Sequence, residues 1–275
     1  MSVNIQQYFG FRKMPFSTNI SIVDFYKLES MLKVKEDIEF AIESSMDYAL
    51  VGEIGSGKSS ILDYIISETN KQNRFRMIKV VGGKWKMTEF LRTVLNEFNY
   101  PVTSSRPSIM LNQIGKSIDT LQSEGIYTVL CVDEAHNLDP EVFIQMHLLS
   151  QQGKKNSMPI VMVGQEDLLG RLRQPLARPL CSRIGSSYRL ESLTQEEALG
   201  YLNHHLSEIA KVSPSLINEN AKLAIAQNGA NIMRNMNNLA LKSLKVAMQN
   251  NRQEVTMADV SQAKKQGILQ EIGMF

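Results

Sequence analysis

The sequence predicts an α/β core built on a parallel sheet, followed by a smaller all-helical domain. Three features carry this. Several short segments are apolar along nearly their whole length, helical-period segments separate them, and beyond residue 190 only helical signals remain. Parallel strands read as continuous apolar runs because crossover helices cover both faces of their sheet. The expected division is an α/β domain over residues 1–190 and a helical domain over 191–275, with no long linker between them.

Each element follows in order. Residues 1–30 mix aromatic and turn-forming residues (Tyr8, Phe9, Gly10, Phe11, Pro15, Phe16), which suits an irregular segment packed onto a body. From Ser30 to Ser45, the apolar residues Leu32, Ile38, Ala41 and Ile42 recur at helical spacing. DYALVGEIGSGKSSILDYIISE reads as strand, glycine-rich turn and helix. RMIKVVGG is a second strand, MTEFLRTVLNEF and SIMLNQIGKSIDTLQSE are helices, and IYTVLCVDEA is a nearly unbroken apolar strand. Residues 141–152 read as a helix, MPIVMVG as a buried strand, 166–180 as a helical stretch broken near Pro175 and Pro179, and SSYRLES as the last strand. Thr194 followed three residues later by Glu197 forms a capping box that opens the helical domain.

With 275 residues, 43% apolar and 21% charged, the chain is an ordinary folded protein able to bury a core. No apolar stretch approaches the roughly 18 to 20 residues of a membrane span, and the first residues lack a signal peptide's hydrophobic run. The expected compartment is therefore the cytoplasm, with no membrane partner. Cys131 and Cys181 lie in or beside apolar segments and are expected to be buried free thiols. The net charge is only +2, but residues 71–92 carry +6 and residues 150–189 carry +5, which leaves the rest at −9. Such segments are either solvated faces or edges that meet a polyanion, because local potential rather than net charge attracts phosphates.

The chemistry concentrates in GEIGSGKS, which fits GxxxxGK[ST] between a strand and a helix. Gly52, Gly55 and Gly57 let the backbone turn its amides toward phosphate oxygens, and the following helix adds its positive end. Glu53, Ser56 and Ser60 complete the phosphate-binding stretch. Lys58 supplies a charge to the outer phosphates, and Ser59 a hydroxyl for a magnesium ion. The expected cofactors are ATP and Mg2+. Further on, TVLCV delivers Asp133 and Glu134 to the carboxyl end of a strand, where open parallel sheets place ligands. Asp133 suits the magnesium shell and Glu134 the general base that activates water. His136 reads as a polar loop contact or, less readily, a metal ligand. Gln165, at the end of MPIVMVG, either orients the lytic water or serves as a helix cap or loop contact. Positive charge for the transition state comes from Arg178, Arg183 or Arg234.

With these motifs in place, the sequence resembles the AAA+ ATPases and, within them, the ExeA-like (general secretion pathway A-like) group, over nearly the whole chain. Tyr8 to Phe16 resembles that group's YYG(L/F)xxxPF opening, and Gly164 to Leu168 its GQPEL stretch without the proline. SRIGSSYRLESLTQEEALGYLNHHL resembles its (Q/S)RI and LxxLxxEE run, and GANIMRNMNNL its GxPRxINxL lid motif, with Met233 in place of the proline. The resemblance implies a P-loop NTPase (AAA+) sheet with a C-terminal helical lid. It puts Arg183 at the arginine-finger position and Arg234 at that of the sensor-2 arginine. It also implies an ATP-dependent homo-oligomer, ring or filament, with nucleotide at subunit interfaces.

The group divides into secretion proteins, with a membrane span and cell-wall-binding domain after the ATPase, and shorter proteins similar to the transposition regulators MuB, TnsC and TniB. The sequence stops at Phe275, where the lid ends, so the DNA-associated branch is the expectation. GGKWKM places Lys84 and Lys86 around Trp85 in a loop that suits a duplex backbone, with Lys154 and Lys155 adding to it. Trp85 reads equally as a core or interface aromatic. The leading expectation is an ATPase that oligomerises on duplex DNA and presents targets to a transposase or other recombination protein. The alternatives are an ExeA-like secretion or envelope ATPase without a DNA role, and a slow nucleotide-controlled switch.

Overall fold

The computed structural model describes residues 4–18, 20–153 and 157–266. These form two compact units. One holds Glu29–Ile54 and Lys58–Leu190, the other the described residues up to Leu28, Gly55–Gly57, and those from Glu191 on. The N-terminal segment, expected with the α/β domain, thus groups with the C-terminal helices.

The chain opens with one helical turn, α1 (Ile5–Phe9). The α/β unit then runs α2 (Glu29–Glu43), β1 (Asp47–Gly52), α3 (Lys58–Asn70), β2 (Phe75–Val81), α4 (Met87–Glu97), α5 (Pro107–Ser123), β3 (Tyr127–Asp133), α6 (Pro140–Ser150), β4 (Ile160–Gly164), α7 (Asp167–Leu172), α8 (Arg178–Cys181) and β5 (Ile184–Leu190). The five strands pair in parallel in the order β2-β3-β4-β1-β5. Every residue of β1 and β4 is buried, as is β3 after Tyr127, which accounts for their unbroken apolar character. The edge strand β5 alternates half-buried and exposed residues instead, up to the buried Leu190. Phe90, Leu91, Val94 and Leu95 of α4, Met110, Ile114 and Ile118 of α5, and Phe143, Met146 and Leu149 of α6 belong to one buried core with Leu130, Val132, Ile160 and Met162 of the sheet. Each fully buried side chain of this size favours the folded state by roughly 1.5–3 kcal/mol before entropy is counted.

Cys131 sits fully buried in β3, where desolvation pushes its thiol well above the ordinary range. Cys181 corrects the expectation: it is exposed. Pro175 and Pro179 divide residues 166–180 into α7, a 3₁₀ turn and the four-residue α8, whose last residue faces out.

In the other unit, Thr194 and Glu197 make the capping box that starts α9 (Gln195–His204), with Thr194 N–H donating to Glu197 Oε2 at 2.8 Å and Glu197 N–H to Thr194 Oγ1 at 3.2 Å. A single π-helical turn (His205–Ala210) follows and ends at Lys211 in the left-handed region. Then come α10 (Glu219–Asn228), α11 (Met233–Gln249) and α12 (Met257–Lys265). The N-terminal segment is stitched onto this unit. The Phe16 amide donates to His205 Nδ1 at 2.9 Å, the Arg12 amide to the Ala210 carbonyl at 2.9 Å, and the Tyr8 hydroxyl to the Arg252 carbonyl at 3.3 Å. Burial, aided by the charge of His204, pulls His205 down to about 3, so the imidazole is neutral and its Nδ1 stays an acceptor.

Candidate active site

The ends of β1, β3 and β4 lie along one edge of the sheet, in the register Val51↔Gly164 and Val132↔Met162. Between β1 and α3, Gly55 and Gly57 adopt φ of 82° and 98°, a region that costs other residues strain. Lys58 is buried, and its Nζ donates to the carbonyls of Gly52 (2.9 Å) and Glu53 (2.7 Å), so the ammonium is held over its own loop. Ser56 is buried with its hydroxyl unpartnered, Ser59 is half-buried in the first turn of α3, and Glu53 and Ser60 are exposed. A backbone bent by left-handed glycines, a buried ammonium, an orphaned hydroxyl and a helix N-terminus fit a nucleotide triphosphate. Arg234, exposed in the first turn of α11, donates its backbone N–H to the Gly55 carbonyl at 3.2 Å. A Cβ added at Gly55 would lie 2.6 Å from that of Arg234.

Asp133 ends β3 nearly buried. Its Oδ1 accepts the Glu134 amide at 2.9 Å, and its Oδ2 lies 3.2 Å from Lys79 Nζ, which also bonds Asp63 Oδ1 at 2.6 Å. Burial works against the Lys79 charge, but the two carboxylates outweigh it and hold the ammonium above its ordinary value. Asp133 and Ser59 are the residues suited to a magnesium shell. Glu134 stands in the left-handed region (φ 51°), with its side chain 38% exposed.

His136 is a loop contact. Its Nδ1 accepts the Gln165 amide at 3.3 Å and lies 3.5 Å from Glu134 Oε2, so the ring spans the ends of β3 and β4. No group of three or more metal-ligating side chains occurs among the described residues. Gln165 is half-buried, and its backbone carbonyl accepts the Leu168 amide at 2.9 Å, one residue before Glu166, the N-cap of α7.

Other predicted residues lie away from this cluster. Arg183 is at the opposite, amino-terminal end of the sheet, its Nε 3.4 Å from Asp47 Oδ2 and its guanidinium 3.4 Å from the carbonyls of Ser45 and Ser150. The other oxygen of Asp47 accepts the Ile160 amide at 2.9 Å. Desolvation raises this carboxyl to about 6 despite the arginine. Arg178 is exposed. Lys84 and Lys86 are exposed in the loop after β2, whose base is fixed by the Gly82 amide donating to the Asp133 carbonyl at 2.6 Å. Trp85 is half-buried against the core. Lys154 and Lys155 lie outside the described residues.

Both basic segments are narrower than their sequence charge. Lys71 pairs with Glu68, Lys79 with two aspartates, Arg183 with Asp47 and Arg189 with Glu166, while Arg76 and Arg171 donate to carbonyls. Sequence reasoning missed Asp47, Asp63 and Lys79. A charge between buried apolar residues, as at Lys79 between Ile78 and Val80, was the available signal.

The sheet order, the glycine loop and the carboxylates beside it make up the P-loop (AAA+) fold. Residues 46–172 match the family model described as AAA domain. Over 261 residues the chain is 24% identical to General secretion pathway protein A of Aeromonas hydrophila, covering 94% of this chain and 47% of the relative, so it spans about half of that protein's length. Among solved structures it is similar to the ORC2 protein of Aeropyrum pernix in its ADPNP-ADP complexes, with a TM-score of 0.68 and 15% identity over 94% of this chain and 74% of that one. It is also similar to the ORC1 protein of Aeropyrum pernix in complex with DNA, with a TM-score of 0.70 and 13% identity over 93% and 69%. At such identities the likeness shows the fold. Among the described residues, no helix is long and apolar enough to cross a membrane.

Proposed function

We propose that the protein is a Mg2+-dependent ATPase that assembles into a ring or filament on duplex DNA and regulates target choice for a transposase or other recombination protein in the cytoplasm. The observation that carries the ATPase reading is the buried Lys58 curled over a left-handed glycine loop, in a sheet whose neighbouring strands end in Asp133, Glu134 and Gln165. In this reading Gly52 to Ser60 and Arg234 hold the nucleotide, Ser59 and Asp133 face the metal, Glu134 takes the proton from water, and Gln165 orients that water. Replacing Glu134 by Gln keeps ATP binding and lowers turnover at least about a hundredfold, since general-base catalysis is worth roughly 10²–10⁴. Wild-type turnover in that variant refutes the assignment.

For the arginine acting on a neighbour's nucleotide, Arg183 is committed to Asp47 within its own chain, whereas Arg178 is exposed and five residues away. Arg178 is therefore the first of the two to test. Arg178→Ala is expected to lower ATPase activity of the assembled protein without lowering its melting temperature.

The exposed Lys84 and Lys86, with Arg92 on α4, support the DNA reading, as does the fold shared with a protein solved in complex with DNA. Lys84→Glu with Lys86→Glu should abolish binding. Neutral substitutions should reduce the salt slope by about 0.9 per lost phosphate contact. A second reading, an envelope or secretion ATPase without a DNA role, is favoured by the match to General secretion pathway protein A. Negative-stain images with ATP, Mg2+ and duplex DNA separate the two: decorated DNA supports the first, bare DNA the second.

A further inference from the structure

We propose that Lys79 is a resident counter-cation of the metal-side carboxylate, and that with Asp63 it sets how tightly the site takes a divalent cation. The inference rests on reading Asp133 as the carboxylate that faces magnesium. Lys79 sits in the edge strand β2, in register with Cys131 of β3, two residues before Asp133. Its Nζ lies 2.6 Å from Asp63 Oδ1 of α3 and 3.2 Å from Asp133 Oδ2, and its side chain is 25% exposed. One Asp133 oxygen accepts the Glu134 amide and the other, Oδ2, is the one that Lys79 faces.

A lysine among the buried Phe75, Met77, Ile78 and Val80 forgoes the burial that these neighbours gain, and its position is explained by the two carboxylates it joins. Three consecutive charges, Asp63, Lys79 and Asp133, are thus fixed in a row. A divalent ion beside Asp133 is repelled by Lys79 and attracted by Asp63, the Asp63 effect being the smaller because its side chain is 44% exposed and better screened by solvent. Removing either charge leaves the Glu134 amide still orienting Asp133. The two removals therefore act with opposite sign on the metal.

The experiment measures Mn2+ affinity by the loss of its free electron paramagnetic resonance signal, with the full chain saturated with a non-hydrolysable ATP analogue. Lys79→Met is expected to bind Mn2+ about tenfold more tightly than wild type, Asp63→Asn several-fold more weakly, and Lys79→Arg within about twofold of wild type. Shifts of the same sign in Lys79→Met and Asp63→Asn overturn the proposal and make the cluster a brace between β2 and α3. No shift in either folded variant overturns it as well. If Lys79→Met does not melt cooperatively, Asp63→Asn and Lys79→Arg decide alone: weaker binding with unchanged binding supports the proposal, any other pair rejects it. Absence of analogue binding by the wild type, without metal, is a failure of the nucleotide reading and is recorded separately.

Discussion

Asp47 is fully buried and carries a partner on each oxygen, the Ile160 amide and, at a distance that makes it an ion pair rather than a hydrogen bond, the Arg183 guanidinium. Its folded pKa, raised from 3.8 to about 6, has a definite linkage sign. The fold prefers the neutral carboxyl, so this group's contribution is fully present below about pH 4 and is lost as pH rises through 6. Arg183 limits that loss. Arg183→Ala should therefore destabilise the protein by up to roughly 3 kcal/mol at pH 7.5, where it strands a buried charge, and by much less at pH 5, where Asp47 takes a proton. Thermal melts at the two pH values check this, and an equal drop at both contradicts it. At the same scale, the sequence named Lys58, Asp133 and Glu134, because loop spacing and strand ends are local facts. It did not name the partner of Arg183, since Asp47 is 136 residues away and only the pairing of β1 with β5 brings them together.

Among the elements, β1, β3 and β4 were legible as buried strands because each is apolar on both faces, and α9 because its capping box is written in four consecutive residues. The body that receives the N-terminal segment was not legible. Phe9, Phe11 and Phe16 announce burial but no periodicity points to α9, the π-helical turn or α11. The hinge of that docking is His205, whose neutral ring accepts the Phe16 amide. A histidine depressed to about 3 resists protonation that the unfolded chain accepts near 6.5, so stability falls as pH drops from about 6.5 toward 3. The slope from this one group reaches about 1.4 kcal/mol per pH unit. His205→Gln, which keeps an acceptor and cannot titrate, should flatten the acid limb of the stability profile followed by denaturant melts. A limb as steep as that of the wild type rejects this role for His205.

Taken over the whole molecule, net charge says little and pairing says more. Summed over sequence, the two basic segments promise a large electrostatic footprint, yet Lys71, Arg74, Lys79, Arg183 and Arg189 are paired with carboxylates. The exposed cations left in the described parts of those segments are few, Lys84, Lys86 and Arg92 in one and Arg173 and Arg178 in the other. In the proposed DNA-bound reading so few free cations per copy require many copies acting together, and affinity should rise steeply with nucleotide-driven assembly while a lone protomer binds weakly. All of this presupposes that the loop from Gly52 to Ser59 grips a triphosphate. Isothermal calorimetry of Mg·ATP titrated into the folded chain tests that most directly. A saturable heat near one site per chain, abolished by Lys58→Ala without loss of the folded state, is the predicted result; no heat from the wild type, or the same heat from the variant, contradicts it.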